Sequence, residues 1–330
     1  MTVPDASTLR AAWALTRAAT QRTPLLESAA LAVATGAARA FVKAESLQWA
    51  GSFKIRGATW RLAQLSAAEK ARGVVAYSSG NFAQGLAAAG RAQGVPVTIV
   101  MPDDAPALKR QATEGFGARV VLSHHGDRPR EEVAAALARE ISQAEELVLL
   151  HPFDDPAIVA GQAGAGLEAL EQLAEAGATA DNVLCPVGGG GLIGGVALAF
   201  HHVGRAQVWA TEPEGYNGMG ASLAAGQVTR VSSGRPTICD ALQATQPGQA
   251  PFAAAQVAGV KGITVTDDEV RTGMRFAFER LKLVLEPSGA VALAAALAGR
   301  VDLKGKVAVI YATGGNIAWE AFRAVMDSAG

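Results

Sequence analysis

Eight apolar runs, each followed by a helix-length segment, constrain this chain more than any other feature. They are "RAFVKAE" (39–45), "GVVAYS" (73–78), "VPVTIVM" (95–101), "ARVVLS" (118–123), "ELVLLH" (146–151), "NVLCPV" (182–187), "AQVWAT" (206–211) and "KVAVIYA" (306–312). A strand with one wet face alternates apolar and polar residues. These runs do not alternate, so both faces must be covered, as in a parallel sheet packed between helices. The chain reads as α/β and doubly wound. The stretch 213–260 is less regular and reads as short helices and loops. No repeat or coiled coil interrupts the pattern.

The bulk numbers agree with such a fold. A chain of 330 residues, half of them hydrophobic and 18% charged, has a sizeable core and room for two domains or one domain with a lobe. A net charge of −1 provides no basic face, which excludes nucleic acid and anionic membrane as expected partners. The two cysteines, Cys185 and Cys239, make no disulfide framework, and the N-terminus lacks a basic start followed by an apolar run; a cytoplasmic protein is expected. The uncharged run 183–200 is long enough to raise the question of a membrane span. Four consecutive glycines after a proline answer it better as strand, tight loop and buried helix.

Ligands of open parallel sheets bind beyond the carboxyl ends of the strands. Three of those ends here carry glycine-rich polar turns: "YSSGNFAQG", "PVGGGGLIGG" and "YATGGNIAW". Gly188, Gly189, Gly190 and Gly191 let the backbone approach a ligand and turn its N–H groups inward, with a helix starting at about Leu192. That arrangement reads as a phosphate cradle, or else as a tight packing turn. Gly189, Gly191 and Gly194, with Glu212 ending the next strand, also satisfy a dinucleotide fingerprint, so an NAD-dependent oxidoreductase is the rival of another class. Upstream, "GSFKIRGA" sets Lys54 in the first turn of a helix whose buried stripe is Ile55, Ala58, Leu62 and Leu65. A lysine at the edge of such a stripe is either a snorkelling boundary residue or a reactive amine.

The motifs "ESLQWAGSFKIRGA", "SSGNFAQG", "HPFDDPAIVAGQ", "PVGGGGLIGG", "EPSGA" and "ATGGN" together resemble the serine/threonine dehydratase and serine racemase family, pyridoxal-phosphate enzymes of fold type II. They cover residues 23–316 in the family's order. The resemblance implies a two-lobed chain: a large cofactor-binding lobe (1–72 and 152–330), a small mobile lobe (73–151) and no C-terminal regulatory domain. It implies that Lys54 forms the Schiff base with pyridoxal 5′-phosphate and that Phe53 packs against the ring. Asn81 would bond the ring hydroxyl, Gly188 to Gly191 and Leu192 would hold the phosphate, and Thr313 would bond the ring nitrogen. Ser78, Ser79, Gly80 and Asn81 would receive the carboxylate of a small amino-acid substrate. The implied activity is elimination of water from L-serine or L-threonine, giving a 2-oxo acid and ammonia. Relatives are often dimers, which puts a homodimer among the expectations.

Several positions qualify that picture. Ser79 is the residue of the racemase type, able in principle to protonate the face opposite Lys54, so serine racemase is an alternative; the other reading is a hydroxyl that bonds the loop backbone. Phe82 stands where the family usually has histidine. It either opens the site to a bulkier β-hydroxy amino acid such as 3-phenylserine, with Tyr216 and Met219 adding apolar lining, or packs behind the loop. Arg130 aligns with an arginine able to reach a second substrate carboxylate. Glu212 could serve a divalent cation, but that site wants an acidic side chain a few residues on, and in "EPEGYNGMG" Tyr216, Asn217 and Gly218 supply no carboxylate, so no metal is expected. His124–His125 and His201–His202 read as surface pairs.

Overall fold

Strands apolar on both faces have to be buried between helices, and the chain does this twice. The computed structural model describes residues 2–128, 130–232 and 236–328. Among them the strands are β1 (Leu25–Glu27), β2 (Arg39–Ala44), β3 (Val74–Tyr77), β4 (Val97–Pro102), β5 (Arg119–Ser123), β6 (Val148–Leu149), β7 (Asn182–Pro186), β8 (Gln207–Pro213), β9 (Lys261–Val265) and β10 (Val307–Ala312). One sheet has the order β1-β2-β10-β7-β8-β9 and the other β5-β4-β3-β6. Every pairing is parallel except β1 with β2. In the larger sheet β10 is central, with Val309 opposite both Phe41 and Val183.

Each of the eight apolar runs contains a strand. The two strands that the pattern did not reveal lie at the edges of the larger sheet. β1 has three residues, and β9 begins with two exposed ones, so neither carries the doubly apolar signature of a central strand. The uncharged run 183–200 divides into most of β7, the glycine loop and the buried helix Gly191–Val203, which starts one residue before the expected Leu192. The stretch 213–260 holds the helices Gly218–Ala225 and Gln249–Val257 and a short turn at Asp240–Leu242.

The helix Lys54–Ala63 is the element that matters most for position. Ile55, Ala58 and Leu62 are buried as the stripe requires, and Leu65 is buried just beyond its end. It crosses the helix Pro156–Glu175 at close range, with Gly57 on one and Gly161 on the other. A Cβ on Gly161 would come within 2.8 Å of the Gly57 Cα, and one on Gly57 within 2.6 Å of the Gln162 amide nitrogen. A side chain at Gly161 would press on the backbone of the facing helix, whereas one at Gly57 would displace the Gln162 side chain and crowd the Ile158 carbonyl at 3.1 Å.

Arg56, two residues after Lys54, fixes the same helix electrostatically. It is fully buried and donates through Nε and Nη2 to the two oxygens of Glu45, at 2.8 and 2.9 Å. Nη2 also reaches Glu168 Oε1 at 2.8 Å, and the buried Lys43 ammonium donates to that oxygen at 2.6 Å. Burial alone would raise the Glu45 carboxyl; the facing guanidinium outweighs it and holds the group below the usual carboxylate range. Two cations thus neutralise two anions inside the core. Arg56→Met would leave both carboxylates underpaired, so a loss of about 3–5 kcal/mol in urea-unfolding stability is expected. An unchanged unfolding midpoint would show that the network contributes nothing.

Candidate active site

Three strand ends and one helix start converge on a single cavity of about 260 Å³. β3 runs into Ser78, Ser79 and Gly80 and then the helix Asn81–Gln93; β7 runs into the four glycines; β10 ends beside Thr313. The Lys54 helix is stitched to the last of these. Ser52 pairs with Gly314, and the Phe53 amide donates to the Thr313 carbonyl at 3.4 Å. The residues expected to hold the cofactor and the substrate carboxylate all line this cavity: Phe53 and Lys54, Ser78 to Phe82, Gly188 to Leu192, and Thr313.

The Lys54 ammonium lies 5.2 Å from the centre of the Phe53 ring and 5.9 Å from that of Phe82. Burial pulls the amine down to about 8, against the opposing pull of the Glu286 carboxylate. A lysine so placed is largely deprotonated one pH unit above that value, where an ordinary lysine is charged. This answers the question raised by the sequence: the amine does not snorkel to solvent but faces a cavity between two aromatic rings.

The glycine loop is held from outside. Gly190 has φ +96°, and a Cβ there would meet Met219 Cε at 2.7 Å and Pro251 Cβ at 2.8 Å; one on Gly189 would overlap the Phe153 ring. Among the described residues, none of the amides of Gly188 to Leu192 has a backbone acceptor, and no side chain caps the helix they open. A helix N-terminus with its free N–H groups turned into a cavity is a seat for a phosphate. Thr313, a residue with a hydroxyl, lines the same space. An amine, a row of free amides and a hydroxyl are a donor set that fits an aldehyde-bearing pyridine phosphate.

The model of the family described as pyridoxal-phosphate dependent enzyme matches residues 16–314. The chain belongs to that family. It is 41% identical over 297 residues to a protein of Thermotoga maritima named L-threonine ammonia-lyase, covering 90% of this chain and 71% of that one. It is 36% identical to a protein of Saccharomyces cerevisiae named L-threo-3-hydroxyaspartate ammonia-lyase, covering 90% and 88%. The structure of maize serine racemase superposes with a TM-score of 0.90 at 31% identity, covering 99% of this chain and 98% of that one. The fold is the type II fold of pyridoxal-phosphate enzymes, and the cofactor is pyridoxal 5′-phosphate.

The family membership overturns the NAD-dependent rival, and the geometry gives the reason. Glu212 follows the glycine loop at the fingerprint's distance, but its two carboxylate oxygens accept from the amides of Met219 and Gly220, at 2.8 and 2.9 Å. It caps the helix Gly218–Ala225 and is not free to meet a ribose. Among the described residues, the group with ligand atoms close enough for a metal is elsewhere: Asp103, Asp104 and His125. The paired histidines are therefore not all bland, since His124 also bonds Asp103 at 2.8 Å, while His201 and His202 lie exposed. Tyr216 and Met219 do not line the cavity as expected; Met219 is buried and packs behind Gly190. Of the two loop serines, Ser78 accepts from the Gly80 amide, whereas Ser79 Oγ lies 3.5 Å from Arg130 Nη2. Arg130 itself is held by Asp104 at 3.3 Å.

Sequence reasoning missed Glu286, which is buried in the cavity wall with one oxygen on Asn81 Nδ2 at 2.5 Å. Its signal was present in "EPSGA", a motif to which no role was attached. It also missed Lys109 and Asp240, paired at 2.6 Å across the cavity mouth. Gly189→Ala should force the loop off Phe153 and lower apoenzyme affinity for pyridoxal 5′-phosphate about ten- to hundredfold, the loss of one or two charge-assisted hydrogen bonds. Fluorescence titration reads this directly, and equal affinity in the folded variant would remove the loop from the phosphate site.

Proposed function

We propose that this chain is an ammonia-lyase that removes water from a β-hydroxy-α-amino acid of the L-serine/L-threonine type, giving a 2-oxo acid and ammonia. The observation that carries the reading is the meeting, in one cavity, of a lysine amine of lowered basicity with the free amides of the glycine loop. The names of the Thermotoga and Saccharomyces relatives support the reaction class.

Bound pyridoxal 5′-phosphate supplies an electron-accepting ring that stabilises the charge left when the substrate's α-proton departs. In this proposal the amides of Gly188 to Leu192 hold the phosphate, Phe53 packs on the ring, Asn81 bonds the ring hydroxyl, and Thr313 bonds the ring nitrogen. A threonine hydroxyl does not enforce a proton on that nitrogen as a carboxylate would, which favours loss of a β-substituent over transamination. Lys54, displaced by the substrate amine, accepts the α-proton at Nζ. Ser78 to Asn81 hold the substrate carboxylate. The bond from the β-carbon to oxygen would break as Lys54 Nζ returns the proton it took to the departing hydroxide, which leaves as water, and the enamine set free would add water to give the 2-oxo acid and ammonia. Residues 73–151 close as a small lobe on the remainder and exclude water; the Lys109–Asp240 pair across the mouth supports this. A cytoplasmic location is part of the proposal, supported by the free, buried Cys185 and Cys239. So is a homodimer, supported by exposed Leu47, Trp49, Phe278, Val284 and Trp319 on neighbouring segments.

A second reading, serine racemisation, is favoured by Ser79, which lines the cavity and whose hydroxyl has Arg130 Nη2 as its neighbour at 3.5 Å. One experiment weighs both. L-Serine, L-threonine and L-threo-3-hydroxyaspartate are incubated with the holoenzyme in deuterated water. The expected result is 2-oxo acid from at least one of them, abolished in Lys54→Ala together with the borohydride-trappable cofactor. Deuterated, inverted substrate that disappears in Ser79→Ala would assign racemisation; the absence of 2-oxo acid from any of the three would sink the lyase.

Phe82 bears on the side chain accepted. It is buried, lines the cavity and faces the Lys54 amine. An apolar wall there favours a bulky β-substituent, and one such contact is worth about 1–3 kcal/mol. Phe82→His should lower the ratio of kcat/KM for L-threo-3-phenylserine over L-serine about tenfold or more. Identical ratios in the two proteins would show that Phe82 only packs behind the loop.

A further inference from the structure

Glu286 stands at the N-cap position of the helix Pro287–Leu297, yet its side chain makes no capping bond. It turns instead into the cavity wall, 3% exposed. Oε1 accepts from Asn81 Nδ2 at 2.5 Å, while Oε2 is buried with no partner. Leaving a buried carboxyl oxygen unpaired costs free energy, and such an orphan in a ligand cavity points to a missing partner or a charge to balance.

The Asn81 amide is clamped at both ends. Its Oδ1 accepts from Asn316 Nδ2 at 2.8 Å, and Asn316 Nδ2 also donates to the Ala50 carbonyl at 2.8 Å. With Oδ1 occupied and one Nδ2 hydrogen on Glu286, Asn81 has one amide hydrogen left for the cavity. We propose that Glu286 is the charge-setting and positioning residue of the site: its carboxylate orients Asn81 toward the bound cofactor and holds positive charge on the Lys54 nitrogen. This rests on the lyase reading for the role of Asn81, whereas the link to Lys54 rests on the two side chains lining one cavity, in which Glu286 Oε2 is left without a partner.

The charged groups facing Glu286 define its behaviour. Burial, with the Asp240 carboxylate adding to it, raises its carboxyl to about 7 against Lys109, Asn81 and Lys54, which pull the other way. Glu286 in turn is the group that opposes the burial of Lys54. Loss of the Glu286 charge therefore weakens the hold of the Lys54 nitrogen on its proton.

Glu286→Gln keeps the shape and the acceptor for Asn81 and removes the charge. In the apoprotein, reductive methylation of Lys54 followed by peptide mass should show its pH midpoint moved down by about one unit. In the holoenzyme, the pH midpoint of the visible cofactor band should move the same way, with cofactor affinity changed by less than about threefold. Glu286→Ala also frees Asn81, and its affinity should fall about tenfold. Unmoved midpoints in the Gln variant overturn the charge role, whether or not the Ala variant folds. Unchanged affinity in a folded Ala variant overturns the positioning role. Wild type that fails to turn over any β-hydroxy amino acid defeats the lyase reading but leaves the methylation result standing, so the two failures are distinguishable.

Discussion

The rest of the structure depends on the charge cluster around Arg56. Burying an isolated guanidinium costs several kcal/mol, and its attraction to carboxylates offsets this only with good geometry. Here a bidentate pair with Glu45 and a shared oxygen on Glu168 supply that geometry. Glu45 follows directly on β2, Glu168 belongs to the helix Pro156–Glu175, and Arg56 lies in the first turn of the lysine helix. The cluster therefore ties a sheet strand, a covering helix and the reactive helix to one point. An apolar substitute could fill the same volume without fixing direction. Since Lys54 is two residues from Arg56, the position of its amine is set by a contact that never touches the cavity.

What was legible in the sequence is what a backbone or a covering layer demands locally. Four successive glycines, a lysine beside a buried stripe and runs apolar on both faces each announce themselves within ten residues. Glu286 and Asn81 are 205 residues apart, and nothing in either segment alone says that a carboxyl should meet an amide. Lys109 and Asp240 are likewise joined only by the folding of one sheet against the other. Glu212 was misleading for the opposite reason: its spacing matched a fingerprint, but a neighbouring helix N-terminus claimed both of its oxygens. β9 escaped because an edge strand needs to be apolar on fewer sides than a central one.

The last step joins the two aromatic walls to the chemistry. Phe82 lies at the start of the helix Asn81–Gln93, and that helix meets the lysine helix at Gly85, where a Cβ would come within 2.8 Å of the Ile55 nitrogen and 3.0 Å of the Lys54 Cβ. The aromatic residue Phe82 of the cavity wall is thus on the element that packs directly on Lys54. A phenyl ring at position 82 adds to the apolar burial that lowers the basicity of Lys54, and it offers no hydrogen bond to a polar group in the cavity. An imidazole there would add a donor for substrate and a titrating neighbour for Lys54 together. On the reading of Phe82 proposed above, specificity and basicity are not independent in this site. Exchanging a polar group for an aromatic ring at this wall then changes the accepted side chain and the pH at which the lysine acts through one contact surface.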